Sequence, residues 1–137
     1  MVTAEDRLEI LDLISRFSHT LDGVDSGAFA AVFTENGVFS ERMGGKDFER
    51  GRGRKELKEF ASHEQEQRGS NQPRHHVRNT VFVELTADRA ITRTYFLATN
   101  VAGEGKLATV TGTGIYEDES ARTSEGWRIL NRVAIHD

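Results

Sequence analysis

The second half of the chain contains four long runs that alternate apolar and polar residues and are separated by short turns. The runs cover residues 75–86, 90–102, 107–118 and 126–135. Strand side chains alternate between the two faces of a sheet, so this period predicts long antiparallel hairpins. A sheet with an apolar face has to be covered, and the residues that can cover it come earlier in the chain.

The first part of the chain carries the pattern of helices. Apolar residues recur at helical spacing over residues 8–21, Thr3 precedes them as a cap, and Gly23 follows them. Asp25 is the expected N-cap of a second helix over residues 26–33, because a carboxylate there satisfies free backbone amides. The chain is therefore expected to begin with two consecutive helices.

A third helix and two short strands are expected before the long runs begin. The helix covers residues 54–67, and the strands at 38–40 and 48–50 flank a glycine-rich loop. Helices followed by a meander of strands predict an α+β fold, with the helices packed on one face of a curved sheet. A chain of 137 residues is expected to form one domain, 1–137.

The composition excludes several classes of function. The net charge of −4, from 22 acidic and 18 basic residues, argues against general nucleic-acid binding. The chain contains no cysteine, which excludes disulfides, thiol catalysis and zinc–thiolate sites. No apolar run reaches the roughly 20 residues of a membrane span, and the first residues lack a signal-peptide pattern. We therefore expect a cytoplasmic protein that binds neither nucleic acid nor membrane.

Two adjacent histidines stand at the head of the first long run. Alternation places His75 on the more apolar face, together with Val77, Val81 and Val83, and turns His76 to the other face. An imidazole on an apolar face has either a structural partner or a role in proton transfer, and both readings stay open. The two histidines point apart and cannot share a metal ion, so no metal site is expected.

Two further residues are candidates to work with His75. Asp22 at the end of the first helix has no capping role: it is either a solvated acid after the last turn or, if the helix end lies over the sheet, a carboxylate that orients an imidazole. Arg132 in the last run is either a surface residue or a pocket residue that binds a developing anion. The alternation of the last run assigns Trp127 and every second residue after it to the core, which disfavours Arg132, and His136 has no supporting context.

Several stretches of the chain resemble the SnoaL-like family of the nuclear transport factor 2-like superfamily. The first is Leu-Asp-Gly-Val-Asp at residues 21–25, which leads to two phenylalanines. The others are Arg-His-His-Val-Arg-Asn at 74–79, Thr-Tyr-Phe at 94–96 and Gly-Trp-Arg-Ile at 126–129. Their order and spacing carry the resemblance, which covers nearly the whole chain.

The resemblance implies a cone in which three helices pack against a strongly curved mixed sheet and enclose a deep apolar pocket. Members commonly form homodimers or homotrimers. In the branch that includes scytalone dehydratase and hexachlorocyclohexane dehydrochlorinase, an aspartate orients a histidine that abstracts a proton. These residues correspond to Asp22 and His75, and a pocket arginine corresponds to Arg132. The substrate-pocket residues that the resemblance implies here are Phe17, Asn79, Tyr95 and Gly112.

The implied function is a cofactor-independent lyase or isomerase that acts on a small hydrophobic cyclic molecule. Leu21 and Phe17 stand where tyrosines of the dehydratase branch are expected, so the resemblance does not identify the substrate. Two alternatives share the same architecture. One is a non-catalytic module that binds a small apolar molecule, and the other is a partner that resembles the small subunit of aromatic-ring dioxygenases.

Overall fold

Three helices lie against one face of a six-stranded sheet in the computed structural model, which describes residues 1–137. The elements are α1 (Ala4–Asp22), α2 (Ser26–Ala31), β1 (Phe33–Met43), β2 (Lys46–Arg52), α3 (Arg54–Gln67), β3 (Gln72–Leu85), β4 (Arg89–Val101), β5 (Ala108–Thr123) and β6 (Gly126–His136). The predicted α+β class and the three helices are confirmed. The first strand is much longer than the three residues expected, because it pairs with β6 as well as with β2.

The strand order in the sheet is β2-β1-β6-β5-β4-β3. Every neighbouring pair is antiparallel except β1 and β6, which are parallel, so the sheet is mixed. The parallel pair brings the first strand of the chain beside the last one. Residues that are far apart in the sequence therefore line the same concave face.

The helices cover this concave face with a mainly aromatic core. The ring of Phe17 on α1 packs edge-on or tilted against Phe29, Phe33, Phe39 and Tyr116, with centroid distances of 5.1–6.2 Å. Such offset arrangements are the favoured ones for aromatic pairs. No helix combines the length and the apolar character that are needed to cross a membrane.

Asp6 ties the start of α1 to the last hairpin. Its buried carboxylate accepts hydrogen bonds from the backbone amide of Thr3 at 2.8 Å, from the indole of Trp127 at 3.1 Å and from Arg122 at 2.5 Å. These donors, the Thr3 amide first, hold the pKa of Asp6 well below its usual range. The contact fixes the helix layer over the end of the sheet opposite to the site described below.

A bulge in β3 changes which side chains face the helices. Asn79 adopts a left-handed conformation with φ of 57°, and the register with β4 shifts between Arg78 and Val81. The extra residue inverts the alternation, as bulges do. The prediction that Val81 and Val83 face the core is therefore wrong: they are 57% and 61% exposed. Phe82 packs against the core instead.

A second bulge has the same effect in β6. Consecutive residues Glu119 and Ser120 of β5 pair with Asn131 and Ile129, so Leu130 is the extra residue. Trp127 and Ile129 are buried before the bulge, as expected, but Arg132 and Ala134 are buried after it. The prediction that Asn131, Val133 and Ile135 continue the core face is wrong for this reason, and Arg132 lies inside the protein.

We expect Asn79→Val to destabilise the protein by about 1–2 kcal/mol, because a β-branched residue is strained in the left-handed conformation. Asn79→Gly should leave the free energy of unfolding nearly unchanged, since glycine adopts this conformation without strain. Urea denaturation of the two variants measures the difference. Equal stability of both variants would contradict the assignment of the bulge to Asn79.

Candidate active site

Asp22 at the end of α1 and His75 near the start of β3 form a hydrogen-bonded pair. One carboxylate oxygen lies 2.5 Å from Nδ1 of His75, and the other accepts the backbone amide of His75 at 2.7 Å. The Asp22 side chain is buried, whereas His75 is only partly buried. Because a carboxylate accepts hydrogen bonds, Nδ1 carries the proton, and the lone pair of the neutral ring is on Nε2.

The end of α1 is held over the sheet by residues that follow α3. The guanidinium of Arg68 donates hydrogen bonds to the carbonyls of Leu21, Asp22 and Gly23 at 2.6–3.0 Å. These carbonyls have no partner within the helix, and a cation at a helix C-terminus is favourable. Gln72 donates a further bond to the carbonyl of Asp22 at 3.2 Å. The position of the Asp22 carboxylate is thus set by the backbone and not by a flexible side chain alone.

His75 faces a cavity of about 490 Å³ between the helices and the concave face of the sheet. This volume suits a small organic molecule. The lining residues are Phe17, Leu21, Phe39, Glu41, Arg50, Phe60, Glu64, Gln67, Arg68, Pro73, His75, Phe96, Ala98, Tyr116 and His136. The pocket is therefore not the purely apolar one that the resemblance implies, because several charged or polar side chains share its wall with the aromatic rings.

Tyr116 on β5 places a phenol in the pocket wall. Its ring stacks on Phe96 with centroids 4.6 Å apart, and Gly114 makes this possible, because a Cβ at Gly114 would lie 2.6 Å from the Phe96 ring. Burial raises the pKa of the Tyr116 hydroxyl above its usual range; Arg132 opposes this shift, while Asp118, Asp22 and Glu41 add to it. The hydroxyl has no hydrogen-bond partner in the protein, so as a neutral phenol it can donate a hydrogen bond to a bound molecule.

Arg132 lies below the pocket wall and does not line the cavity. Its guanidinium is 0% exposed, forms two hydrogen bonds of 2.7 Å with the carboxylate of Asp118, and lies within 4.3 Å of the ring centres of Phe17 and Tyr116. Nε and Nη2 of Arg132 are thus paired with the carboxylate and the guanidinium lies against two rings, whereas Nη1 has no hydrogen-bond partner. This position differs from the pocket position that the resemblance implies.

The four predicted pocket residues have different positions. Phe17 lines the cavity. Asn79 forms the exposed bulge of β3, and Tyr95 points to the outer face with 57% of its surface exposed, because its neighbours Thr94 and Phe96 take the inward positions. Gly112 is not among the lining residues, but a Cβ there would lie 4.0 Å from Nδ1 of His136.

Among the lining residues that the sequence did not reveal are two that form a second histidine–carboxylate pair. Nε2 of His136 lies 2.9 Å from a carboxylate oxygen of Glu41. His136 and Arg132 lie an even number of residues apart on β6 and therefore face the same side of the sheet. The bulge at Leu130 turns that side toward the interior, and nothing in the sequence marks the bulge. No local signal marks Glu41, because its position follows from the parallel pairing of β1 with β6. No three histidine, aspartate or glutamate side chains converge on a point where a metal ion could bind.

Helices over a curved mixed sheet, with a cavity between the two layers, define a cone-shaped fold like that of solved nuclear transport factor 2-like proteins. The chain belongs to the family of SnoaL-like domains, whose model matches residues 2–133. Among curated proteins, none matches the sequence significantly.

Three solved structures illustrate the similarity. A variant of a protein of unknown function from Mycobacterium tuberculosis is 27% identical, with a TM-score of 0.81 over 98% of this chain and 78% of that one. A protein from Novosphingobium aromaticivorans, described as a candidate aromatic ring hydroxylase, is 28% identical, with a TM-score of 0.78 over 99% and 92%. Aln2 from a Streptomyces species is 25% identical, with a TM-score of 0.81 over 100% and 94%.

We expect the ion pair of Arg132 and Asp118 to be structural. Asp118→Leu should destabilise the protein by about 3–5 kcal/mol, because it leaves a buried guanidinium without its counter-charge. The double variant Asp118→Leu with Arg132→Met should be more stable than Asp118→Leu alone, since it removes both charges. Denaturant unfolding of the three proteins measures these differences. A double variant less stable than the single one would contradict this assignment.

Proposed function

We propose that the protein is a cofactor-independent lyase or isomerase in which His75 removes a carbon-bound proton from a small cyclic molecule. The observation that carries the proposal is the 2.5 Å contact between Nδ1 of His75 and Asp22 at the wall of the cavity. A partly buried histidine with one nitrogen bonded to a buried carboxylate and the other free is the arrangement of a general base. Side chains of the chain itself supply the acid–base groups, and the proposal assigns no step to a cofactor.

Asp22 has two roles in this mechanism. Its hydrogen bond keeps the proton on Nδ1, so that the lone pair of Nε2 is available to the substrate. Its negative charge stabilises the imidazolium that forms when Nε2 takes the proton. The second hydrogen bond, from the amide of His75, fixes the carboxylate relative to the strand, so the geometry is set before a substrate binds.

The lining indicates a substrate with a flat hydrophobic body and polar substituents. The rings of Phe17, Phe39, Phe96 and Tyr116 offer an aromatic wall, against which a cyclic molecule can pack. The unpaired hydroxyl of Tyr116 is a hydrogen-bond donor for a carbonyl or hydroxyl oxygen of that molecule. Proton removal next to a carbonyl would leave negative charge on this oxygen, which such a donor stabilises.

The proposal is tested with 5-nitrobenzisoxazole, a ring that opens when a base removes its carbon-bound proton and that releases a coloured phenolate. Small cyclic alcohols, halides and enones are screened separately, with their products identified directly. We expect His75→Ala to lower kcat/KM about 10²–10⁴-fold, the usual contribution of a general base. Asp22→Asn should lower it by about tenfold or more, because the amide keeps the shape but not the charge.

His76→Ala is the matched control for His75→Ala. His76 is the next residue of the same strand, and its Nε2 lies 3.1 Å from the hydroxyl of Thr99. Since it does not line the cavity, its removal should leave kcat/KM within about twofold of the wild-type value. Activity that survives both His75→Ala and Asp22→Asn would rule out the pair as the base.

A non-catalytic binding module is the second candidate, and the aromatic wall of the cavity favours it. In that case the same cyclic compounds bind, and His75→Ala changes their affinity but no turnover is found. The similarity to a candidate aromatic ring hydroxylase also keeps a role as a dioxygenase partner open.

We also propose that the protein forms a homodimer or homotrimer through the outer face of the sheet. Val81, Tyr95 and Val110 are 57–64% exposed there, and exposed apolar surface of this kind is typical of interfaces. Light scattering should give two or three times the chain mass of 15.3 kDa. The double variant Val81→Glu with Tyr95→Glu should be monomeric, whereas Val24→Glu, in the turn after α1, should not change the mass. A monomeric wild-type protein would contradict this.

A further inference from the structure

The cavity contains a second imidazole, on the strand at the opposite side of its floor. His136 at the end of β6 follows the inward positions of Arg132 and Ala134, and it lines the cavity together with His75. Its ring lies edge-on to Phe96, with centroids 5.3 Å apart and planes at 78°. The side chain is therefore held by packing and is not free to swing into solvent.

A carboxylate and an arginine fix the orientation of His136. Its Nε2 lies 2.9 Å from one oxygen of Glu41, and the other oxygen of Glu41 accepts a hydrogen bond from Nε of Arg50 at 2.6 Å. All three side chains line the cavity; Glu41 and His136 are partly buried, whereas Arg50 is exposed at its rim. Since Glu41 occupies Nε2, Nδ1 is the ring nitrogen that can exchange a proton with a bound molecule. The arrangement resembles that of Asp22 and His75, except that the carboxylate binds Nε2 of His136 but Nδ1 of His75.

Two small residues separate the imidazoles. His75 pairs with Ala98, and Ala98 pairs with Gly112, so these three residues form one row across β3, β4 and β5. Adjacent strands are about 4.8 Å apart, which puts the ends of this row roughly 10 Å from each other. Nδ1 of His136 lies 4.0 Å from the place where a Cβ of Gly112 would be. The two imidazoles therefore lie on opposite sides of Ala98, which lines the cavity with them.

We infer that His136 is a second catalytic residue, which donates a proton to the leaving or carbonyl oxygen while His75 removes the proton from carbon. The inference rests on the proposed function. It also narrows the substrate class to flat molecules whose acidic C–H bond and oxygen point away from each other, so that each faces one imidazole. Histidine is the side chain best suited to exchange protons near neutral pH. One histidine can therefore accept a proton while the other donates one in the same cycle.

The elimination step balances with these two groups. Nε2 of His75 takes the proton from carbon, and the electron pair of the C–H bond becomes the second bond of the new double bond. The bond to the leaving oxygen breaks with its electron pair, and the protonated Nδ1 of His136 gives its proton to that oxygen. The cycle ends with His75 protonated and His136 neutral, and proton exchange with water restores both.

The test compares two probes that differ in how much their leaving oxygen needs a proton. In 5-nitrobenzisoxazole the nitro group stabilises the departing phenolate, whereas unsubstituted benzisoxazole releases a more basic one. We expect His136→Gln to lower kcat/KM about 10²-fold for the unsubstituted probe and by less than about tenfold for the nitro probe. His75→Ala should lower both by similar factors, because proton removal from carbon is common to the two reactions.

Two further variants keep the test decisive. Glu41→Gln leaves His136 in place but weakens its anchor, so it should show the same leaving-group dependence in milder form. His63→Gln, an exposed histidine of α3, is the matched control and should change neither rate. Equal losses with both probes for His136→Gln, or no loss while His75→Ala is inactive, would overturn the role of His136 and leave the proposed function standing. A wild-type protein that accelerates neither probe would overturn both.

Discussion

The carboxylate of Asp22 is the contact on which the site and much of its surroundings depend. It joins the end of α1 to the start of β3 through two hydrogen bonds, one to the backbone and one to the ring of His75. Arg68 binds three carbonyls of the same helix end, so the chain before β3 also takes part. A helix terminus, a strand and the connection between α3 and β3 are thereby held together around one buried charge. The same geometry orients an imidazole toward the cavity.

Bulges decide which residues of the long strands face this cavity. A regular β6 would place Arg132 and His136 outside, since Trp127 and Ile129 face inward. The extra residue Leu130 reverses the alternation, so that the arginine is buried against Asp118 and the histidine enters the pocket. One inserted residue thus converts a surface cation into a structural ion pair and supplies the second imidazole. Bulges near functional sites commonly re-aim side chains in this way.

The polar side chains in and just below the pocket are of two kinds: those with hydrogen-bond partners in the protein and those without. Arg132 binds Asp118 and Arg68 binds backbone carbonyls, which leaves only Nη1 of Arg132 and Nε of Arg68 without a partner. The free polar groups of the lining include Nε2 of His75, Nδ1 of His136, the hydroxyl of Tyr116 and the side chains of Glu64 and Gln67. They share the cavity with Ala98 and several aromatic rings. The two free imidazole nitrogens are the groups that favour proton transfer on a flat molecule.

Local patterns in the sequence determined the elements: the α+β class, all three helices, and α3 to the residue. They also singled out Asp22 and His75, which are 53 positions apart, and suggested their pairing on the condition that the helix end lies over the sheet; the family resemblance supported that pairing. Tertiary structure decided which side chains of β3 and β6 face the interior. A bulge depends on how two strands pair, and it leaves no periodic signal in the sequence. It also decided that Glu41 meets His136, because parallel pairing of the first and last strands is a long-range contact. Periodicity describes a strand in isolation, whereas a pocket is built from the registers of several strands.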